Sequence, residues 1–149
     1  MARLSLLAVL AFAFSGVASA APALGGLSAR DNQSFQPCGG PDKIVSVNIS
    51  PDPPVAGADL TVVVIAYTPV PILGDSVAQV TVIRGDETFS TQAVRICDTA
   101  SCPVQSERYY SFKYSVRMPE AISPNEINIL NNGFYPPGEP LFCFNFTPS

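Results

Sequence analysis

Residues Arg108 to Arg117 read RYYSFKYSVR, and this stretch decides the fold. Tyr110, Phe112, Tyr114 and Val116 take one set of alternate positions, and Ser111, Lys113, Ser115 and Arg117 take the other. Successive side chains of a strand point to opposite faces, so the pattern describes a β-strand with one wet face. Its other face is pressed against something large and apolar.

Working outward, the neighbouring segments carry the same period. Leu60 to Tyr67 (LTVVVIAY) is rich in β-branched residues on both faces, which suits a strand inside a sheet or at a sheet-to-sheet contact, and Pro69-Val70-Pro71 ends it. Lys43 to Ile49 sets Val45, Val47 and Ile49 against Ser46 and Asn48 and is expected to be a first, edge strand, stopped by Ser50-Pro51-Asp52-Pro53-Pro54. Val77 to Arg84 alternates Ala78, Val80 and Val82 with Gln79 and Thr81, and Gly85-Asp86 turns the chain into a strand over Thr88 to Ile96. Glu126 to Leu130 and Leu141 to Phe146 complete a count of seven strands, with Pro136-Pro137-Gly138 between them. No stretch after residue 20 has a convincing amphipathic helical period. Short strands separated by Pro and Gly turns predict an all-β, immunoglobulin-like antiparallel β-sandwich. The hallmarks of a true immunoglobulin domain are missing: there is no Trp, and Cys38 and Cys143 lie too far apart for the usual bridge between the two sheets.

Composition narrows the function classes. The chain has 149 residues, enough for one domain, with 8 Lys+Arg, 12 Asp+Glu and no His. Without His the usual general base and the commonest metal ligand are lacking, so no metal site and no catalytic residues are assigned. Asp86-Glu87 falls in a predicted turn with no nucleophile and orienting partner, so no enzyme activity and no cofactor are expected. A net charge of −4 is also the wrong sign for a nucleic-acid partner.

Residues 1–20 read as a secretory signal peptide, with Arg3, an apolar run from Leu4 to Phe14, and small residues at Ala18-Ser19-Ala20. That run is shorter than the about 20 apolar residues a membrane span needs. Residues 21–37 are small and polar and fit a flexible leader or propeptide, which leaves 38–149 as the folded domain. Export to an oxidising compartment, outside the cell or in a vacuolar or lysosomal lumen, favours disulfides for Cys38, Cys97, Cys102 and Cys143. Four cysteines allow three connectivities. In one of them Cys97 and Cys102 close a short polar loop, leaving Cys38 for Cys143. Asn32, Asn48 and Asn145 each begin an Asn-x-Ser/Thr glycosylation sequon.

A cysteine before the first strand, then KIVSVNISPDPPVAGADLTVVV, CDTASCPV and a closing LFCFNF, resembles the lipid-recognition family called ML. Its branches include the Niemann-Pick sterol carrier and fungal phosphatidylglycerol/phosphatidylinositol transfer proteins. The likeness covers Cys38 to Phe146. It implies two sheets that part to hold a lipid between them, and the pairs Cys38 with Cys143 and Cys97 with Cys102. The sterol-carrier branch has a further disulfide in the loop after the first strand, whereas Asp52-Pro53-Pro54 here has no cysteine.

With that resemblance, the inward positions become candidate lipid-binding residues: Val62, Val64, Ala66 and Tyr67; Val80 and Val82; Tyr110, Phe112, Tyr114 and Val116; Ile127 and Ile129; Phe142, Phe144 and Phe146. An ordinary dry core has the same alternation, so the competing expectation is an extracellular recognition or structural module without lipid. Buried phenols need partners, which makes Tyr110 and Tyr114 candidates for meeting a sterol hydroxyl or a headgroup at a cavity mouth. The loop Pro69 to Ile72 and Val104 could guard that mouth or touch a membrane. Lys43, Arg84, Arg95, Lys113 and Arg117 are scattered and read as solvated surface. The expected partners are therefore a sterol or phospholipid and, transiently, a bilayer, with the protein a monomer.

Overall fold

The computed structural model describes residues 33–121, 123, 126–136 and 138–148. The expected signal peptide and the Asn32 sequon fall outside these residues.

Eight strands form two antiparallel sheets: β1 (Phe35–Gly39), β2 (Lys43–Ser50), β3 (Asp59–Thr68), β4 (Val77–Arg84), β5 (Glu87–Arg95), β6 (Arg108–Arg117), β7 (Asn128–Tyr135) and β8 (Glu139–Phe146). The larger sheet runs β1-β8-β7-β4-β5 and the smaller β2-β3-β6. A short 3₁₀ turn covers Ile96–Asp98. The expected all-β sandwich is thus observed, and the expected bounds of β4 and β6 match those of the structure.

Two differences have physical causes. The strand count rises from seven to eight because Phe35–Gly39, which begins inside the 21–37 stretch expected to be leader, pairs with β8. Its Pro37 and Gly39 disfavour a strand by propensity, but an edge strand has a side on which a missing N–H costs no ladder bond, and a register shift falls between these two residues. In β2 a second register shift between Ile44 and Ser46 breaks the simple alternation, so Val47 is buried while Val45 is 49% exposed. β7 also runs past Leu130, where the expected strand ended, through Asn131-Asn132-Gly133.

Glycine is required at two places where the chain lies close against β8. Gly40 sits at φ +88 on the path from β1 to β2, and a Cβ there would lie 2.4 Å from the Leu141 carbonyl oxygen. Asp42 N–H then donates to that same carbonyl at 2.9 Å. At Gly133 a Cβ would fall 2.4 Å from the Phe142 ring, so the absent side chain makes room for an aromatic of β8.

The disulfides are Cys38–Cys143 and Cys97–Cys102, with Cα–Cα distances of 4.9 and 5.4 Å. The first fastens β1 to β8 across a separation of 105 residues, and the second closes a loop whose ends are 5 apart. Chain-entropy reasoning assigns about 4.7 kcal/mol to a loop as long as the first and about 2 kcal/mol to one as short as the second. The double variant Cys38→Ser/Cys143→Ser is therefore expected to lose more stability in urea unfolding than Cys97→Ser/Cys102→Ser; equal losses would contradict this.

Candidate functional site

The inner faces of the two sheets meet through aromatic rings. Residues two apart on a strand share a face at a spacing of about 6.6–6.8 Å, so alternate aromatics make a continuous row. On β6 the Tyr110 and Phe112 centroids are 6.1 Å apart and those of Phe112 and Tyr114 6.2 Å. On β8 Phe142 lies 5.8 Å from Phe144, which lies 6.4 Å from Phe146. The rows touch where Phe112 stacks on Phe142 at 5.5 Å. Val62, Val64, Ala66, Val80, Val82, Val116, Ile127 and Ile129 join these rings in one buried cluster.

The structure thus gathers the sequence-predicted lining residues into one interior, with Tyr67 the exception. Strand parity sends Tyr67 to the outer face of the smaller sheet, where it meets Tyr109 edge-to-face at 5.3 Å. The apolar loop after β3 is not a free tip throughout. Ile72 and Val104 are buried and exchange two backbone hydrogen bonds, of 2.9 and 3.1 Å. Of the sequons, Asn48 is half-buried on β2, and Asn145 lies on β8 beside a surface pocket of about 370 Å³.

Both core tyrosines find partners, as buried phenols must. Tyr110 Oη donates to Asp42 Oδ2 at 2.7 Å, and Tyr114 Oη donates to Asn131 Oδ1 at 2.5 Å. The latter bond crosses the sandwich from β6 to β7, and Asn131 Nδ2 donates to the Ile129 carbonyl at 3.3 Å. Burial pushes both phenols far above their ordinary value. The Asp42 charge and hydrogen bond add to the shift at Tyr110, while the Asn131 bond opposes it at Tyr114. Asp42 is 7% exposed, and burial raises its carboxyl above the usual carboxylate value against the opposing effects of hydrogen bonding by the Tyr110 and Thr68 hydroxyls. Its Oδ1 has no hydrogen-bond partner. The Thr68 hydroxyl donates to the Val70 carbonyl and accepts from the Val70 N–H at 3.2 Å.

Sequence reasoning missed Asp42 and Asn131. Asp42 follows Gly39-Gly40-Pro41 and reads as turn, while Asn131 lay beyond the expected end of its strand. The parity Ile129, Asn131, Gly133 was the available signal for Asn131.

A surface pocket lies beside β6. It has a volume of about 490 Å³ and is bounded by Thr99, Ser101, Val104, Arg108, Tyr109 and Tyr110, and two of these, Val104 and Tyr110, belong to the apolar cluster. Among the described residues Arg108 has no ion-pair partner. Arg84 pairs with Glu126, and Arg117 with Asp59 and Glu120.

Comparisons with known proteins agree with this architecture. A family model described as the ML domain matches residues 32–149. The phosphatidylglycerol/phosphatidylinositol transfer protein of Mycosarcoma maydis is 28% identical over 120 residues, which is 74% of this chain and 62% of that relative. The chain therefore spans less than two thirds of that relative's length. Among solved structures, a Niemann-Pick type C2 protein from the Japanese carpenter ant superposes with a TM-score of 0.59 at 16% identity, covering 76% of this chain and 96% of that one. Chicken MD-1, solved in complex with lipid IVa, gives 0.56 at 12% identity, covering 76% and 85%.

Two stability predictions follow from the buried polar pairs. Tyr114→Phe leaves Asn131 Oδ1 buried without its donor and is expected to cost about 1–3 kcal/mol in urea unfolding; an unchanged midpoint would show that the bond contributes nothing. The folded-state pKa of Asp42 is raised above 3.8, so the folded protein binds the extra proton between 3.8 and the raised value, and stability from this group increases as pH falls through that window. Relative to Asp42→Asn, the unaltered protein should gain stability as the pH is lowered from neutral towards 3.8, and a difference that stays constant would contradict the assignment.

Proposed function

The chain belongs to the ML domain family, and from that membership we propose that it is a non-enzymatic carrier that holds lipid chains between its two sheets and moves lipid between membranes. The observation that carries the reading is the two facing rows of apolar and aromatic side chains enclosed between separately paired sheets. The names of the relatives support a lipid cargo, a phosphatidylglycerol or phosphatidylinositol in the first case and lipid IVa in the MD-1 complex. The carrier works in an extracellular or lumenal compartment, where two disulfides are maintained.

Transfer on this reading needs no covalent chemistry. A lipid leaving a bilayer exposes its chains to water, and enclosing them recovers about 0.8 kcal/mol for each CH₂. The sheets are joined by side-chain packing rather than by a shared ladder, so they can part without breaking strand pairing. Docking on a bilayer is transient, and the carrier acts as a monomer on a sterol or a phospholipid.

The stacking of Phe112 on Phe142 favours a second reading, a recognition module with a dry core. Native mass spectrometry of the secreted protein, followed by organic extraction, separates the two. A lipid retained at one per chain is the expected result. A protein that arrives empty and takes up nothing from mixed vesicles would overturn the carrier reading in favour of the module.

A further inference from the structure

We propose that the outer face of the smaller sheet, at the end that carries Lys43, Tyr67 and Tyr109, is the surface with which the carrier docks on an anionic lipid bilayer. The inference gives the membrane contact of the carrier reading a place on the molecule, and it rests on that reading.

Charge is sorted between the two sheets. The three strands of the smaller sheet carry four cations, Lys43, Arg108, Lys113 and Arg117, against one carboxylate, Asp59. The five strands of the larger sheet carry Arg84 and Arg95 against Glu87 and Glu139. The whole chain has a net charge of −4, so the smaller sheet runs against the overall balance. Asp59 already pairs with Arg117 at 3.5 Å, at the far end of the face. Among the described residues Lys43, Arg108 and Lys113 have no ion-pair partner.

Strand register gathers these cations with exposed apolar groups. Lys43 stands opposite Tyr67 and Tyr67 opposite Tyr109, which makes one row across β2, β3 and β6. Two positions along, Ile65 pairs with Ser111, and two further Val63 pairs with Lys113. Parity turns these side chains outward, because the alternate residues Val64, Ala66, Tyr110 and Phe112 lie in the core. Tyr109 is 69% exposed and Ile65 36%.

The combination suits a bilayer surface. A tyrosine has an apolar body and a polar tip and settles at the level of the headgroups, while Lys and Arg are drawn to anionic lipids. Lys43 and Lys113 lie two strands and four positions apart, roughly 10 Å across the sheet and roughly 13 Å along it, so they do not converge on a point. That spacing matches a plane of repeated negative headgroups better than a single acidic loop of a protein. At physiological ionic strength charges beyond about 8 Å are largely screened, so the face outweighs the acidic groups behind it.

The test is co-sedimentation of the full chain with phosphatidylcholine vesicles, with or without phosphatidylglycerol, at low and high salt. Binding to the anionic vesicles is expected, weakening as salt rises. Lys43→Gln/Lys113→Gln is expected to weaken it about 25-fold, from about fivefold for each cation, and Tyr109→Ser to weaken it as well. Arg84→Gln/Arg95→Gln removes the same charge from the larger sheet and is expected to leave binding within about twofold. Equal losses in the two double variants would show that net charge alone acts and would overturn the face, as would equal binding to both kinds of vesicle. Binding to neither, with retention on immobilised polyglutamate, would replace the bilayer by an acidic protein partner and overturn it too. Carriage is scored separately, as transfer of a fluorescent phospholipid out of neutral vesicles. Transfer without charge-dependent docking overturns the face and leaves the carrier reading intact, whereas docking without transfer upholds the face as a membrane contact and overturns the carrier reading. The salt and lipid dependence is read on the unaltered protein, so it stands even where a variant fails to fold.

Discussion

The stacking of Phe112 on Phe142 is the contact on which the rest of the sandwich depends, because it brings the aromatic rows of the two sheets together. Each sheet satisfies its own backbone through strand pairing, so what holds the sheets to each other is side-chain burial supplemented by a few polar links. Other features serve this contact. Gly133 leaves the space that the Phe142 ring fills, Gly40 allows the chain to pass close to Leu141 on its way between the sheets, and Cys38–Cys143 fixes the edge of the sheet that carries Phe142. An interface made of stacked rings is closed without ligand, yet its contacts are non-directional and can be exchanged for contacts with hydrocarbon at little net change in buried area.

The polar groups in this interior impose direction on it. Tyr114 and Asn131 tie β6 to β7 deep in the sandwich, whereas Tyr110 reaches from β6 to Asp42 just before β2. The first pair has its hydrogen bond closed within the protein. The second has an acceptor left over at Asp42 Oδ1.

Much of this was legible in the sequence because alternation has a period of two and the core face is so distinct from the wet face. Arg108 to Arg117 yielded the strand, its bounds and its inward residues together. What escaped was set by tertiary context. Phe35–Gly39 is a strand because β8 offers it an edge and a disulfide pins it there, not because FQPCG favours extension. Tyr67 was assigned to the interior by its character as an aromatic, but its parity places it beside Tyr109 on the outer face. Asp42 lay in a segment that reads as turn, and only the reach of Tyr110 from a strand 68 residues away in sequence makes it part of a buried site.

Lipid chains held between the sheets would lie where Phe112 meets Phe142. The most direct measurement is photo-crosslinking with a phospholipid that carries a diazirine at the end of one acyl chain, with the labelled residues mapped by mass spectrometry. The account predicts adducts on the inner aromatic rows, at Phe112, Tyr114, Phe142 or Phe144. Adducts confined to the outer face around Tyr67 and Tyr109, with none on the inner rows, would contradict it.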